Sequence, residues 1–292
     1  MKVLSLLITA YCFLFVTIPT LNAQIKTESI NRDVKIDTLK KDILDSSKYR
    51  VYYSLEFVKD TLIQGEKSEC ITLLQIGSKY NRFIDYGTLR QDSVFDALVK
   101  SGRGFSDILA QSMSIGRTAK FKTVILKNYP SVMSYTVQNT VGSSKYNYVD
   151  RDIALNWKLE DEEKEIEGYK CMKATCEYRG RSYVAWYALQ IALSEGPYVF
   201  SGLPGLIMEI YDLKQHFHFT IAGFTQIKDY DPIYLLTDKV AILDRDKVRK
   251  IISNSYADPS GALKNLGGTV RGISEESVAK LSPKAYNPIE LE

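Results

Sequence analysis

"GYKCMKATCEYRGRSYVAWYALQIAL", residues 168–193, decides the fold. Its first half alternates, with Met172, Ala174, Cys176 and Tyr178 on one side and the more polar Lys173, Thr175 and Glu177 on the other, the period of two that a strand imposes. Arg179-Gly180-Arg181 then interrupts with a glycine free to take positive φ, and a second alternating run follows in "SYVAWYAL". Two such runs around a glycine tip predict an antiparallel hairpin.

Downstream, "FSGLPGLIMEIYD" (200–212) packs Gly202, Pro204 and Gly205 into four positions before an apolar run. Leu203-Pro204-Gly205-Leu206 suits a type II turn with positive φ at Gly205. "LIMEIYD" and "HFHFTIAGF" form the next hairpin, closed by Asp212-Leu213-Lys214-Gln215; Phe217, Phe219 and Ile221 share its buried face. Upstream, "YRVYYSLEFV", "ECITLLQIG", "FKTVILKNY", "VMSYTVQN" and "KYNYVDR" have strand composition. Helical spacing predicts helices over 89–102, 104–116 and 244–256. The acidic "LEDEEKEIEG" reads as a solvated hairpin loop, and the C-terminal tail as irregular. Residues 24–48 read as a polar flexible leader with a short helical turn near Leu39 to Leu44. With no repeat and no linker in view, residues 49–292 are expected to form one β-rich domain.

The first residues, "MKVLSLLITAYCFLFVTIPTLNAQ", have the layout of a signal peptide cleaved after Ala23. Removing 23 of 292 residues leaves 269 and takes only Lys2 from the formal charge of +3, giving +2. That near-neutral balance offers no basic stripe for nucleic acid, and no later segment has the 18 or more apolar residues of a membrane span. The expected place is therefore outside the cytoplasm. Cys70, Cys171 and Cys176 remain after cleavage. On one strand Cys171 and Cys176 would face opposite sides about 16 Å apart, so Cys70 would pair with one of them, Cys171 being the candidate because Cys176 falls on the more apolar face, with three buried free thiols the alternative.

The two histidines of the chain, His216 and His218, stand two apart, as two metal ligands on a strand would. Solvent-facing imidazoles are the plainer reading, since no spacing supplies a third ligand. Arg179 and Arg181 could grip an anion, although tip arginines are usually solvated. Trp186 is expected in the core. No Gly-x-Ser-x-Gly, Walker A, dinucleotide, Cys-x-x-Cys or His-Glu-x-x-His motif occurs, so neither a catalytic residue nor a cofactor is implied.

Residues 202–207, Gly-Leu-Pro-Gly-Leu-Ile, with "GYKCMKAT", "RGR", "AWY", "GPYVFSGLPGLIMEIYD" and the final "NPIEL" (287–291), closely resemble the GLPGLI family in content and order. The segment 188–197 departs from that pattern at Ala188 and Ala192, where a threonine and a proline are common. The resemblance implies a protein of the periplasm or outer membrane of a diderm bacterium, and it implies no activity. The corner itself reads first as a turn feeding a core strand; the alternative is a binding corner, where bare backbone lets a partner approach, with Gly202, Leu203, Pro204, Gly205, Leu206 and Ile207 joined by Arg179, Arg181 and Trp186.

The expected architecture is α+β and mainly antiparallel: a curved sheet, which could reach a half-barrel, with helices on part of one face. In organisation this resembles the lipoprotein-carrier half-barrels. The expected function is a non-enzymatic binding or accessory module that holds an apolar ligand or an outer-membrane partner in the concave face. The alternatives are a metal-assisted hydrolase built on His216 and His218, or a structural subunit of an envelope complex.

Overall fold

The structure, a computed structural model, describes residues 36–63, 65–151, 153–264 and 283–292. In chain order these form β1 (Lys41–Ser46), β2 (Tyr49–Phe57), β3 (Ser68–Ile76), β4 (Asn81–Asp85), α1 (Tyr86–Lys100), α2 (Phe105–Gly116), β5 (Thr123–Lys127), β6 (Ser134–Val141) and β7 (Ser144–Arg151). After these come β8 (Lys158–Ile166), β9 (Tyr169–Tyr178), β10 (Arg181–Ala188), β11 (Leu206–Asp212), β12 (Phe217–Gln226), β13 (Pro232–Leu236), β14 (Val240–Ile242), α3 (Arg245–Ala257) and α4 (Pro259–Lys264). The expected signal peptide and residues 24–35 lie outside the described residues. No helix among the described residues is long and apolar enough to cross a membrane.

The hairpin predicted over residues 168–193 is β9–β10, paired from Arg181↔Tyr178 to Ala188↔Cys171. Its tip residues Arg179 and Gly180 take φ +46° and +77°, the left-handed pair that matches strand twist. Among the described residues, twelve strands join in the order β14-β7-β6-β5-β4-β3-β2-β12-β11-β10-β9-β8, and only the β14–β7 pair is parallel. β1 and β13 form a separate two-stranded sheet. The main sheet is curved and stays open. β4 and β10 are five strand steps apart, about 24 Å in a flat sheet. Yet Tyr198, whose ring lies 6.3 Å from that of Phe83 on β4, is 6.1 Å from Phe200, which in turn lies 4.6 Å from Tyr183 on β10.

Both faces of the central strands are covered. Leu74, Phe83 and Ile125 belong to the large core that also holds Tyr198, Phe200 and Val248 of α3. Their neighbours Leu73, Ile84, Val124 and Leu126 belong to a second core with Leu89 of α1 and Ile233, Tyr234 and Leu235 of β13. The helices therefore cover opposite faces of the sheet, not parts of one. Strands buried on both sides lose alternation and read as continuous runs.

Three local expectations change. Residues 41–46, read as leader and helical turn, form a strand whose partner β13 lies almost two hundred residues away. The acidic "LEDEEKEIEG" is not a loop: it is β8, the edge strand of the sheet, where charged side chains guard the open edge. In the corner, Gly202 takes the positive φ, +94°, and Gly205 does not. Gly205 serves a different need, because a Cβ there would lie 2.2 Å from the carbonyl oxygen of Ala188.

Candidate functional site

The corner belongs to a long connection, residues 189–205, that folds back into the hollow of the curved sheet. Ile191 donates to the Ala188 carbonyl and its own carbonyl accepts from Leu206, while Ile207 donates to Glu195 and Gly202 to Ser194. Leu203, Leu206 and Ile207 are fully enclosed, as are Tyr198, Val199 and Phe200 just before them; Gly202 and Pro204 reach the surface. The buried Lys127 of β5 holds the connection in place, its ammonium donating to Glu195 Oε2 and to the carbonyls of Gly196 and Phe200 at 3.0 to 3.1 Å. From β2, Tyr53 donates to the Ile207 carbonyl at 2.8 Å. The hollow expected to receive an apolar ligand is thus filled by the chain itself.

The arginines differ from their solvated reading. Arg181 is buried and donates to Asp212, Asn287 and the Pro288 carbonyl at 3.0, 2.8 and 2.6 Å. Arg179 pairs with Asp150 at 2.9 Å. The tail read as irregular is a strap tied into the same region: Ile289 O accepts from Tyr183, and Glu290 accepts from Tyr178, Tyr198 and Arg245. The stretches "RGR", "GPYVF" and "NPIEL", far apart in sequence, thereby meet in one buried polar knot.

His216 and His218 do not act as a pair. His216 precedes β12 and its Nδ1 lies 3.3 Å from Arg181, whereas His218 Nε2 lies 2.8 Å from Glu209. Among the described residues no three His, Cys, Asp or Glu side chains converge as a metal site. Burial raises the Glu209 carboxyl, but hydrogen bonds from His218 and Lys164 outweigh it and hold the group below its ordinary value. The Lys164 ammonium stands 4.5 Å above the ring of Trp186. Trp186 is buried as expected, with no hydrogen-bond partner for its indole nitrogen.

The expected Cys70–Cys171 disulfide is not formed. Cys70, Cys171 and Cys176 are all free and buried. Cys70 sits on β3 and Cys171 on β9, five strand steps away in the sheet order, far beyond bridging distance. Burial pushes the Cys171 thiol up to about 11 and Cys176 to about 12, with Cys70 raised further. Burial outweighs the lysine beside two of them, Lys164 near Cys171 and Lys59 near Cys70, so each thiol stays protonated at neutral pH.

The open volume lies at the end of the sheet. Between α3, the C-terminal strap and β5–β6 runs a cleft of about 420 Å³ whose walls include Phe57, Phe121, Phe217, Ile252, Tyr256 and Tyr286. Lys59, Lys120 and Lys122 stand along it. The Lys59 ammonium lies 5.3 Å from the centre of the Phe57 ring, and its pKa is lowered by burial and then by Lys120. An aromatic wall beside cations that make no ion pair among the described residues accepts an apolar body with an anionic end. None of these residues stands out in the sequence. The lysines sit in connections and the aromatics on five separate segments, so no spacing links them. The nearest signal is the amphipathic face of α3 with Ile252 and Tyr256, which the helix prediction contains without a partner.

Fold and cleft together define an open, curved antiparallel-sheet protein whose hollow is filled by its own loop and which carries an aromatic cleft at one end. Residues 177–209, which contain the hairpin tip and the corner, match a family described as "Protein of unknown function (Porph_ging)". No curated protein matches. Solved structures with similarity include PNGF-II in two crystal forms, each at 14% identity and TM-score 0.45, covering 71% and 73% of this chain. The chain spans about a third of those structures, 33% and 34% of their length.

Proposed function

We propose that this chain is an exported, GLPGLI-type protein of the periplasm or outer-membrane face, and that it works as a non-enzymatic binding module for an apolar ligand with an anionic end. The observation that carries the reading is the cleft between α3 and β5–β6, apolar and aromatic within and lined by three lysines outside any ion pair seen among the described residues. It replaces the concave face as the ligand's place, because residues 196–207 already occupy that face. The N-terminal sequence supports export, and the corner and arginines act as supports of the fold, not as ligand contacts.

The test is a fluorescence titration with anthroyloxy-labelled palmitate, on the mature chain and on Ile252→Glu, which places a carboxylate in the apolar wall. Saturable binding in the first and at least tenfold weaker binding in the second, with the near-ultraviolet circular dichroism unchanged, supports the proposal. Absent binding, or equal binding by both proteins, overturns it. Native mass spectrometry of protein isolated from its own envelope then identifies what the cleft carries.

A further inference from the structure

On the other side of the β5–β6 end lies a second cavity of about 440 Å³, and it contains the most poorly satisfied charge among the described residues. Arg82, on β4, lines this cavity and is 1% exposed. Its guanidinium stacks on the Tyr234 ring at 3.9 Å, and neither Nε nor Nη1 has a hydrogen-bond acceptor. Arg181, also buried, leaves only its Nε unmet and donates to a carboxylate, an amide and a carbonyl. A buried guanidinium whose donors go unmet is strongly disfavoured unless something else completes it.

The surroundings indicate what completes it. Ser112 of α2, buried in the same wall, also leaves its hydroxyl without a partner. Arg117, Lys122 and Lys145 complete the cationic lining, and none of them makes an ion pair seen among the described residues. Against these four cations the lining holds one carboxylate, Asp92, which accepts the Tyr234 hydroxyl at 2.8 Å and feels the charge of Arg82, so three of the cations stand in excess of it. The arginine fork matches two oxygens of a carboxylate or phosphate, and a hydroxyl beside it adds a third contact. We infer that this cavity is a binding site for a small organic oxyanion, a carboxylate or phosphate monoester of about sugar size, with Arg82 as its floor. The site adjoins the aromatic cleft, sharing Phe121, Lys122, Thr140 and Gly142 with it, but the inference does not depend on the cleft. Lys122 borders both, so the test uses Arg117 and Lys145, which do not line the cleft.

Calorimetric titration at constant ionic strength with glucuronate, glucose 6-phosphate and neutral glucose tests it. At least one anion is expected to bind saturably while glucose does not. Arg117→Gln and Lys145→Gln should each weaken that binding about threefold to tenfold, and Arg82→Lys, which keeps the charge and loses the fork, by more. Should Arg82→Lys fail to fold, the two rim variants decide. Anions binding no better than glucose, or binding that all the folded variants retain unchanged, overturn the inference.

Discussion

Gly205 shows how one position can be legible as a residue and misleading as a conformation. The Gly-x-Pro-Gly spelling points to a turn, and a turn is there. The glycine that needs the left-handed region is Gly202 at φ +94°, whereas Gly205 is needed because a methyl group would collide with backbone at Ala188. Sequence alone cannot separate these reasons, since both end in "only glycine fits". Their consequences differ. At Gly202 a Cβ would stand 3.8 Å from the Trp157 indole nitrogen, so alanine there meets backbone strain alone, about 1–2 kcal/mol. At Gly205 the obstacle is a carbonyl that cannot rotate away, so Gly205→Ala should force β11 off its register with β10 and cost more, about 3 kcal/mol. Urea denaturation of both variants checks this. Equal midpoints, or a smaller loss at Gly205, would sink the close-approach account. A similar limit applies to the histidines: a spacing of two implies a shared face only if both residues lie within the strand, and His216 precedes β12.

At the level of elements, alternation made β9, β10, β11 and β12 readable, because one face of each carries polar side chains. β4, "NRFID", was invisible: it is five residues long, buried throughout, and carries Asn, Arg and Asp where a buried strand is expected to be apolar. Its last residue explains why the chain turns there. Asp85 caps α1, its Oδ1 accepting from the N–H groups of Gly87 and Thr88, and its Oδ2 accepts from Lys120 and Phe121 ahead of β5. One buried carboxylate thereby ties the start of α1 to the return from α2. Asp85→Ala removes a cap worth about 1 kcal/mol and leaves further buried donors without an acceptor, at about 1–3 kcal/mol. The expected loss is about 3 kcal/mol. Asp85→Asn should recover part of it, because its amide oxygen can still cap α1 while its NH₂ group faces donors. Chemical denaturation of the two variants measures the difference, and a full recovery in Asn would show that the Oδ2 contacts contribute nothing.

Over the whole molecule, the stretches that stand out in the sequence serve to close the fold, while the open volumes are built from residues that do not stand out. A loop of buried aromatics needs strands on both sides to enclose it, and the C-terminal strap needs Arg181, Tyr178 and Tyr198 to hold it, so these segments must remain mutually compatible. A binding cleft demands only a wall of suitable chemistry, which many spellings satisfy. The same construction leaves many thiols and phenols in the dry interior. Burial raises Cys171 to about 11 and Cys176 to about 12, raises Tyr286 to about 12, and lifts Tyr53 and Tyr198 well above the ordinary phenol value. In the unfolded chain thiols ionise near pH ~8.5 and phenols near ~10. Above those values the folded state holds protons that the unfolded state has released, so stability is full below pH ~8.5 and falls as pH rises, by about 1.4 kcal/mol per pH unit for each group over its window. Lys59, lowered by burial, works in the opposite direction, but it is a single group. The urea midpoint should therefore hold steady from about pH 6 to 8 and drop steeply between about pH 9 and 12. A thiol reagent at about pH 8 should label none of the three core cysteines until the protein unfolds. A midpoint unchanged up to about pH 11, or prompt labelling of the folded protein, would mean that the interior admits water where the structure has it sealed.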